Sequence, residues 1–303
     1  MAADAGFTEA RARAVLAAAL PGGTDDAAGA RLLALGENAV FALDRLSLVV
    51  RVSRDLAVRE RAARELRVAD WLAREGVPAV RPDRRFGGAD QPLAYDGHLV
   101  TYWQQLPPPE RPAGPRDLAA LLRRVHALPE PPPDLALPRR DLLGGVDRWL
   151  RLAGEAIDPA DAAYLRARRD DIAAATAELT PHLAPGPIHG DALPRNVHIG
   201  PDGPVLVDLE TFATDLREHD LVVMALFRDR YGLGAAAYDE FSAAYGWDVR
   251  EWPGCAVLRG ARETASCAWV AQHAPGNPAA LAEFRRRVAS LREGDAAVRW
   301  YAF

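Results

Sequence analysis

The run Leu106-Pro107-Pro108-Pro109, followed by Pro112 and Pro115, divides this chain more sharply than any other feature. Proline lacks the amide hydrogen that a helix interior or a central strand must donate, so neither can pass through it. The two sides differ in pattern. Ahead of it, Glu9–Leu20 has helical spacing and stops at Pro21-Gly22-Gly23. Two β-suited runs follow, around Ala39–Leu43 and Leu46–Val52, joined by a turn at Asp44-Arg45. Asp55–Glu75 reads as an amphipathic helix ended by Gly76 and Pro78, with further strands expected near Arg84–Phe86 and over Gly97–Trp103.

Beyond the prolines helical spacing dominates, over residues 117–128, 144–154, 161–179, 220–230, 235–245, 256–273 and 278–292. One β-suited pair interrupts it, Val197–Ile199 and Val205–Leu209, joined by Pro201-Asp202-Gly203. A chain of 303 residues is long enough to bury a core in one large or two modest domains.

Composition removes several classes of function. No apolar run is long enough to span a bilayer, and residues 1–10 lack a basic segment ahead of an apolar one, so a cytoplasmic protein is expected. The two cysteines, Cys255 and Cys267, are too few for a disulfide framework. Every cationic side chain apart from histidine is arginine, which excludes Schiff-base chemistry and a lysine-bearing P-loop. Residues 1–107 balance at 14 basic and 14 acidic groups, so the net charge of −5 falls entirely on the helical part. That balance argues against nucleic acid or an anionic membrane as partner.

The residues that can do chemistry concentrate on the late β-suited pair. His189-Gly190-Asp191-Ala192-Leu193-Pro194-Arg195-Asn196 precedes it, and Val205-Leu206-Val207-Asp208-Leu209-Glu210 closes it. Asp191 and Asn196 lie on a Gly- and Pro-containing loop, and Asp208 ends an apolar strand that can return beside it. Oxygen ligands of this kind suit Mg²⁺ together with substrate phosphates. A remaining carboxylate can take a proton from an attacking hydroxyl. His189, Asp191 and His198 form a weaker zinc alternative, because His198 lies on the strand.

The spacing H-x-D-x-x-x-x-N, followed by an apolar strand ending in Asp, resembles the kinase catalytic loop and its metal-binding aspartate. The opening His-Gly-Asp and the closing Asp-x-Glu resemble the aminoglycoside phosphotransferase and choline kinase superfamily in particular. The resemblance runs in order over about residues 32–225. It implies an α+β, two-lobed, protein-kinase-like fold: a β-rich nucleotide-binding N-lobe over residues 1–103, a hinge at 104–108 and a helical C-lobe over 109–303. It makes Asp191 the base, with His189 bracing the loop, Asn196 and Asp208 holding Mg²⁺, and Glu210 meeting metal through water or facing substrate. Asp220, in Arg217-Glu218-His219-Asp220-Leu221, is expected to anchor the catalytic loop. Arg51 stands where kinases usually carry lysine, with Glu65 as its partner and Glu60 as second choice. Gly36 and Asn38 fall where a loop covers the nucleotide, and Thr101, Tyr102 and Trp103 where a hinge meets its base. Leu193, Arg195 and Thr214-Asp215 depart from common family residues.

The implied activity is transfer of the γ-phosphate of ATP or GTP to a hydroxyl of a small molecule. An antibiotic-like natural product with a basic group is the expected acceptor, on the acidic helical part and on the aromatic end Trp300-Tyr301-Ala302-Phe303, which either lines the pocket or packs in the core. The alternatives are a metabolic kinase of a choline-like, sugar or amino-alcohol substrate, and a kinase-like binding module without turnover.

Overall fold

The structure, a computed structural model, describes residues 7–301. It resolves into two compact units. One comprises the residues through Ala113 together with 131–137 and 195–212; the other comprises 114–130, 138–194 and the residues from Ala213 on. The chain therefore switches units after Ala113, on either side of residues 131–137 and on either side of residues 195–212, dividing the catalytic-loop motif between Pro194 and Arg195.

In the first unit, helices α1 (Glu9–Ala19) and α2 (Gly23–Ala27) precede a five-stranded sheet. Its strands are β1 (Arg31–Leu35), β2 (Asn38–Leu43), β3 (Leu48–Ser53), β4 (Leu93–Tyr95) and β5 (His98–Gln104), arranged in the order β1-β2-β3-β5-β4. All four pairings are antiparallel. Alternation decides which side chain goes where. Leu48, Val50 and Val52 of β3 are fully buried, while Val49 and Arg51 take the opposite face. The buried face meets Ala12, Val15, Leu16 and Ala19 of α1, which recur at helical spacing. Thr8 caps that helix by accepting from the Arg11 amide at 3.2 Å.

Helix α3 (Arg59–Arg74) starts later than its periodicity implies, because the Asp55 carboxylate accepts the Ala57 amide at 2.7 Å and holds a turn ahead of it. The strand expected at Arg84–Phe86 is instead the short helix α4 (Arg84–Gly87), which Asp83 caps through the Arg85 amide at 2.9 Å. The fourth strand lies further on, at β4. The hairpin of Val197–Gly200 and Gly203–Leu206 also belongs to this unit, tied by the Leu206 amide to the Pro78 carbonyl at 2.9 Å.

The second unit holds α5 (Pro115–His126), α6 (Val146–Ala153), α7 (Pro159–Ala177), α8 (Glu218–Arg230), α9 (Ala235–Tyr245), α10 (Cys255–Ala271) and α11 (Pro278–Arg292). A two-stranded sheet of Gly186–Ile188 and Ala213–Asp215 brings the segments before and after the hairpin side by side. Helix α10 is central and packs on α6, α7, α8 and α11. Among the described residues no helix is long and apolar enough to cross a membrane.

Trp300 is 2% exposed and packs in the core of this unit. Its ring lies between two guanidinium groups, Arg230 at 4.7 Å and Arg287 at 4.9 Å from the centroid. Each arginine has its own carboxylate, Glu263 at 2.7 Å and Glu283 at 2.8 Å. Tyr301 is exposed, and Ala302 and Phe303 lie outside the described residues. Trp300→Ala removes both the apolar filling and the surface on which the two cations rest. A loss of about 3–5 kcal/mol is expected, read as a lowered denaturant midpoint; an unchanged midpoint would contradict this packing.

Candidate active site

Strand register assembles a cleft within the first unit. Val40 pairs with Arg51 and Arg51 with Thr101, while Ala42 pairs with Val49 and Val49 with Trp103. Paired residues share a face, so all six lie opposite the α1 core. There, Val40, Ala42, Val49, Arg51 and Trp103 line a cleft of about 710 Å³, together with Gln104 to Pro109, Val207 and Asp208. An apolar slot with polar backbone at its rim and charge at one end suits a nucleotide.

Tyr102 is the exception among the expected contacts. Alternation turns it to the other face, where its hydroxyl donates to the Ala19 carbonyl at 2.6 Å. Its amide donates to Gln91 Oε1 at 2.8 Å and its carbonyl accepts from the Asp83 amide at 2.8 Å, so neither side chain nor backbone is left for a ligand. Thr101 accepts from the Trp103 indole at 2.9 Å. Gly36 and Asn38 form the turn between β1 and β2, closed by the Gly36 amide on the Asn38 carbonyl at 3.0 Å. Gly36 has no positive φ, and a Cβ added there would meet nothing within 4 Å, so the turn is open on that side.

Arg51 meets Glu65 at 2.6 Å, and Glu65 is 3% exposed. Glu60, the second choice, instead pairs with Arg67 at 2.7 Å. Burial alone would lower the Arg51 pKa, but Glu65, Glu210 and Asp208 together hold it above its usual value. Burial pushes the Glu65 carboxyl up, and Glu210 and Asp208 add to that push against the pull of Arg51. The Glu210 carboxyl is raised too, by burial first, with Arg61 opposing. Glu210 lines a small pocket with Arg51, Arg61, Glu65 and Asn38.

Three carboxylates thus share two guanidinium groups, and Glu65 Oε1 is buried with no hydrogen-bond partner. An excess of buried oxygen and negative charge is what a hard divalent cation relieves. Asn196, buried in the turn Pro194–Asn196, and Asp208 are joined through the Val207 amide on the Asn196 carbonyl at 3.0 Å. Asp208 itself has φ 60 and ψ 66, a left-handed conformation that aspartate tolerates better than most residues. The donor set of Asn196 and Asp208 fits Mg²⁺.

The second unit carries the residues around Asp191. Asp220, fully buried near the start of α8, accepts the His189 amide at 2.7 Å, the Gly190 amide at 2.8 Å and His126 Nε2 at 3.2 Å. Burial opposes its ionisation, but these bonds outweigh it and hold its pKa at about 2. His189 is buried, and its Nδ1 accepts the Asp191 amide at 3.3 Å. Arg262 donates to the carbonyls of Gly190 and His219 at 3.2 and 3.1 Å. The loop carrying Asp191 is thereby gripped on both its amide and its carbonyl side.

Sequence reasoning missed Arg61, Arg140 and Arg262. Only Arg61 had a signal, standing one helical turn before Glu65 on α3.

The sequence profile of the phosphotransferase enzyme family matches residues 30–258. The chain belongs to that family. Its fold is similar to that of an amicoumacin kinase solved with AMP-PNP, Ca²⁺ and Ami, at 14% identity and TM-score 0.66 over 89% of each chain. It is similar to a choline/ethanolamine kinase family protein from Mesorhizobium loti, at 20% identity and TM-score 0.62 over 95% and 96% of the chains. A spectinomycin phosphotransferase bound to ADP and spectinomycin follows at 14% identity and TM-score 0.59, over 87% and 88%. A search of curated protein sequences finds no significant match. The fold is therefore protein-kinase-like, and the family one of phosphotransferases.

Two outcomes follow from the charges. Arg51→Ala and Glu65→Ala are expected to be non-additive in kcat/KM, since each acts through the pair. Strictly additive losses in the double variant would remove the pair from the mechanism. The second outcome concerns acid. Asp220 has its pKa lowered from 3.8 to about 2, so the stability it lends is complete above about pH 4 and is lost as pH falls toward 2. Burial, and then Arg262, lowers that of His219 from 6.5 to about 4, so the unfolded state binds its proton first and stability falls between those values. His219→Gln is expected to flatten the melting temperature between pH 6.5 and 4 while leaving the steeper loss below 4. Identical slopes for both proteins would contradict this assignment.

Proposed function

We propose that the chain transfers the γ-phosphoryl group of ATP or GTP to a hydroxyl of a small-molecule acceptor. The observation that carries this reading is the buried Arg51–Glu65 pair at the charged end of the cleft beside Asp208, in a chain of the phosphotransferase family. Arg51 meets the phosphates, steered by Glu65 and resting on Trp103, whose ring centroid lies 5.6 Å from its guanidinium carbon. Asn196 and Asp208 are the residues that would hold Mg²⁺, which would supply positive charge to the phosphates.

Asp191 accepts the acceptor's proton as its oxygen forms the new bond to the γ-phosphorus. The bond from that phosphorus to the bridging oxygen breaks, the nucleoside diphosphate leaves, and the proton passes from Asp191 to solvent. Because the transition state is loose, most of the rate enhancement comes from positioning and electrostatics. The Asp220 anchor serves that end, since it fixes the backbone from which Asp191 projects.

For the acceptor, an antibiotic-like hydroxylated natural product is the reading favoured by likeness to the amicoumacin and spectinomycin kinases. A metabolic acceptor is the second reading, favoured by likeness to choline kinase family proteins. A panel of both classes with labelled nucleotide distinguishes them. On any acceptor that turns over, Asp191→Ala is expected to lower kcat about 10²–10⁴-fold with Mg-nucleotide affinity near wild type. Asp208→Asn is expected to weaken that affinity as well. An Asp191→Ala variant keeping half its activity would displace Asp191 as the base.

A further inference from the structure

Two polar atoms in the lining of the 710 Å³ cleft are buried without a hydrogen-bond partner among the described residues, Gln105 Oε1 and His198 Nε2. A polar atom withdrawn from water in this way is destabilising until a ligand meets it. The imidazole nitrogen donates or accepts according to its tautomer, so it can hold a base without telling one from another. Gln105 is different, because its neighbours fix which atom is left over. Its Nε2 donates to Asp44 Oδ1 at 2.5 Å, and the Arg31 guanidinium lies 3.7 Å from the same oxygen. A carboxylate only accepts, so the carboxamide cannot turn round, and its unpartnered atom is an oxygen that needs a donor.

The backbone beside it offers few donors. The Gln104 amide is taken by the Arg81 carbonyl at 2.9 Å and the Gln105 amide by the Ser47 carbonyl at 3.2 Å. Pro107, Pro108 and Pro109 have no amide hydrogen. The Glu110 amide is engaged with the Ile199 carbonyl at 2.9 Å. Leu106 is thus the one residue of this segment whose amide donates to nothing among the described residues. The lining therefore presents, on consecutive residues, a fixed side-chain acceptor and a free backbone donor. Adenine carries the complement on neighbouring atoms, an amine at C6 that donates and a ring N1 that accepts. Guanine and hypoxanthine reverse both, with an oxygen at C6 and a hydrogen on N1. Guanine meets the same pair only turned over, with its C2 amine left unpartnered by it.

We propose that the cleft selects adenine over guanine through Gln105, whose Oε1 accepts from the C6 amine while the Leu106 amide donates to N1. Asp44 keeps the carboxamide from turning. This rests on the phosphotransfer reading above and names the nucleotide class of that same site, ATP rather than GTP. Gln105 touches the base and is a binding residue; Asp44 acts through it and is a positioning residue. Selection comes from the direction of the hydrogen bonds rather than from shape, since adenine and hypoxanthine share one outline. An oxygen at C6 sets lone pairs against lone pairs and leaves the buried Oε1 unsatisfied, which penalises the wrong base actively.

The test uses the full chain and measures the dissociation constants of Mg-ATP, Mg-ITP and Mg-GTP by calorimetry. The base of ITP is hypoxanthine, which differs from adenine only at C6 and N1. Mg-ATP is expected to bind at least about 10-fold tighter than either of the others. Gln105→Leu is expected to weaken Mg-ATP at least about 5-fold while leaving Mg-ITP near wild type, so the preference narrows. Asp44→Ala is expected to act differently, because the freed carboxamide can present its Nε2 to an oxygen at C6. Mg-ITP and Mg-GTP should then bind tighter than they do to wild type. Both variants are expected to melt near wild type. Equal binding of Mg-ATP and Mg-GTP by the wild type, or a Gln105→Leu variant that keeps the wild-type ratio of Mg-ATP to Mg-ITP, would overturn the reading by Gln105 while leaving phosphotransfer intact. An Asp44→Ala variant with unchanged preference would remove Asp44 from it. Binding of none of the three nucleotides would overturn the phosphotransfer reading and this one with it.

Discussion

One fully buried carboxylate, Asp220, sets the geometry on which the second unit's chemistry depends. A charge taken from water is tolerable only where its lone pairs are filled, and here two loop amides and a histidine fill them. Those amides belong to His189 and Gly190, immediately ahead of Asp191. The bond that makes the buried charge affordable is thus the bond that fixes the loop. Arg262 closes the arrangement from the carbonyl side, and His219 stays neutral beside it because burial and a neighbouring cation oppose its proton. Stability and preorganisation are one feature here, which is why the acid response of the fold and the competence of the site are linked.

The first unit follows a different logic. Its charges come from sheet alternation: placing Leu48, Val50 and Val52 in the core forces Arg51 to the opposite face, where α3 delivers Glu65. The surplus of carboxylate around Arg51 is compatible with a divalent cation, and the burial of Glu65 raises its pKa despite the arginine. Arginine in place of lysine keeps the charge under every condition and adds a flat face that rests on Trp103.

Much of this was legible in the sequence, for physical reasons. Proline cannot enter helix or sheet interiors, so the break after β5 declared itself. Asp191, Asn196 and Asp208 stood out because few loops need that set of oxygen donors at that spacing. Tyr102 could have been read correctly, since alternation along β5 separates it from Thr101 and Trp103. The short helix α4 was hidden because Asp83 caps it within four residues, too few for a period to show. The strand β1 was obscured by Leu32-Leu33-Ala34-Leu35, residues as suited to helix as to strand. Arg140 could not be found at all, since it sits on an aperiodic loop whose neighbours only the fold supplies. Trp300 illustrates the same limit from the other side: an aromatic near the chain end gives no sign of whether it meets ligand or core until its two arginine neighbours are placed.

The account stands on phosphoryl transfer to a hydroxyl, and mass analysis of the products tests it most directly. Incubation with Mg-ATP and the acceptor panel should yield an acceptor heavier by one phosphoryl group on oxygen, with one ADP formed for each. Transfer of the nucleotidyl moiety, or consumption of ATP by water alone across the whole panel, would contradict it.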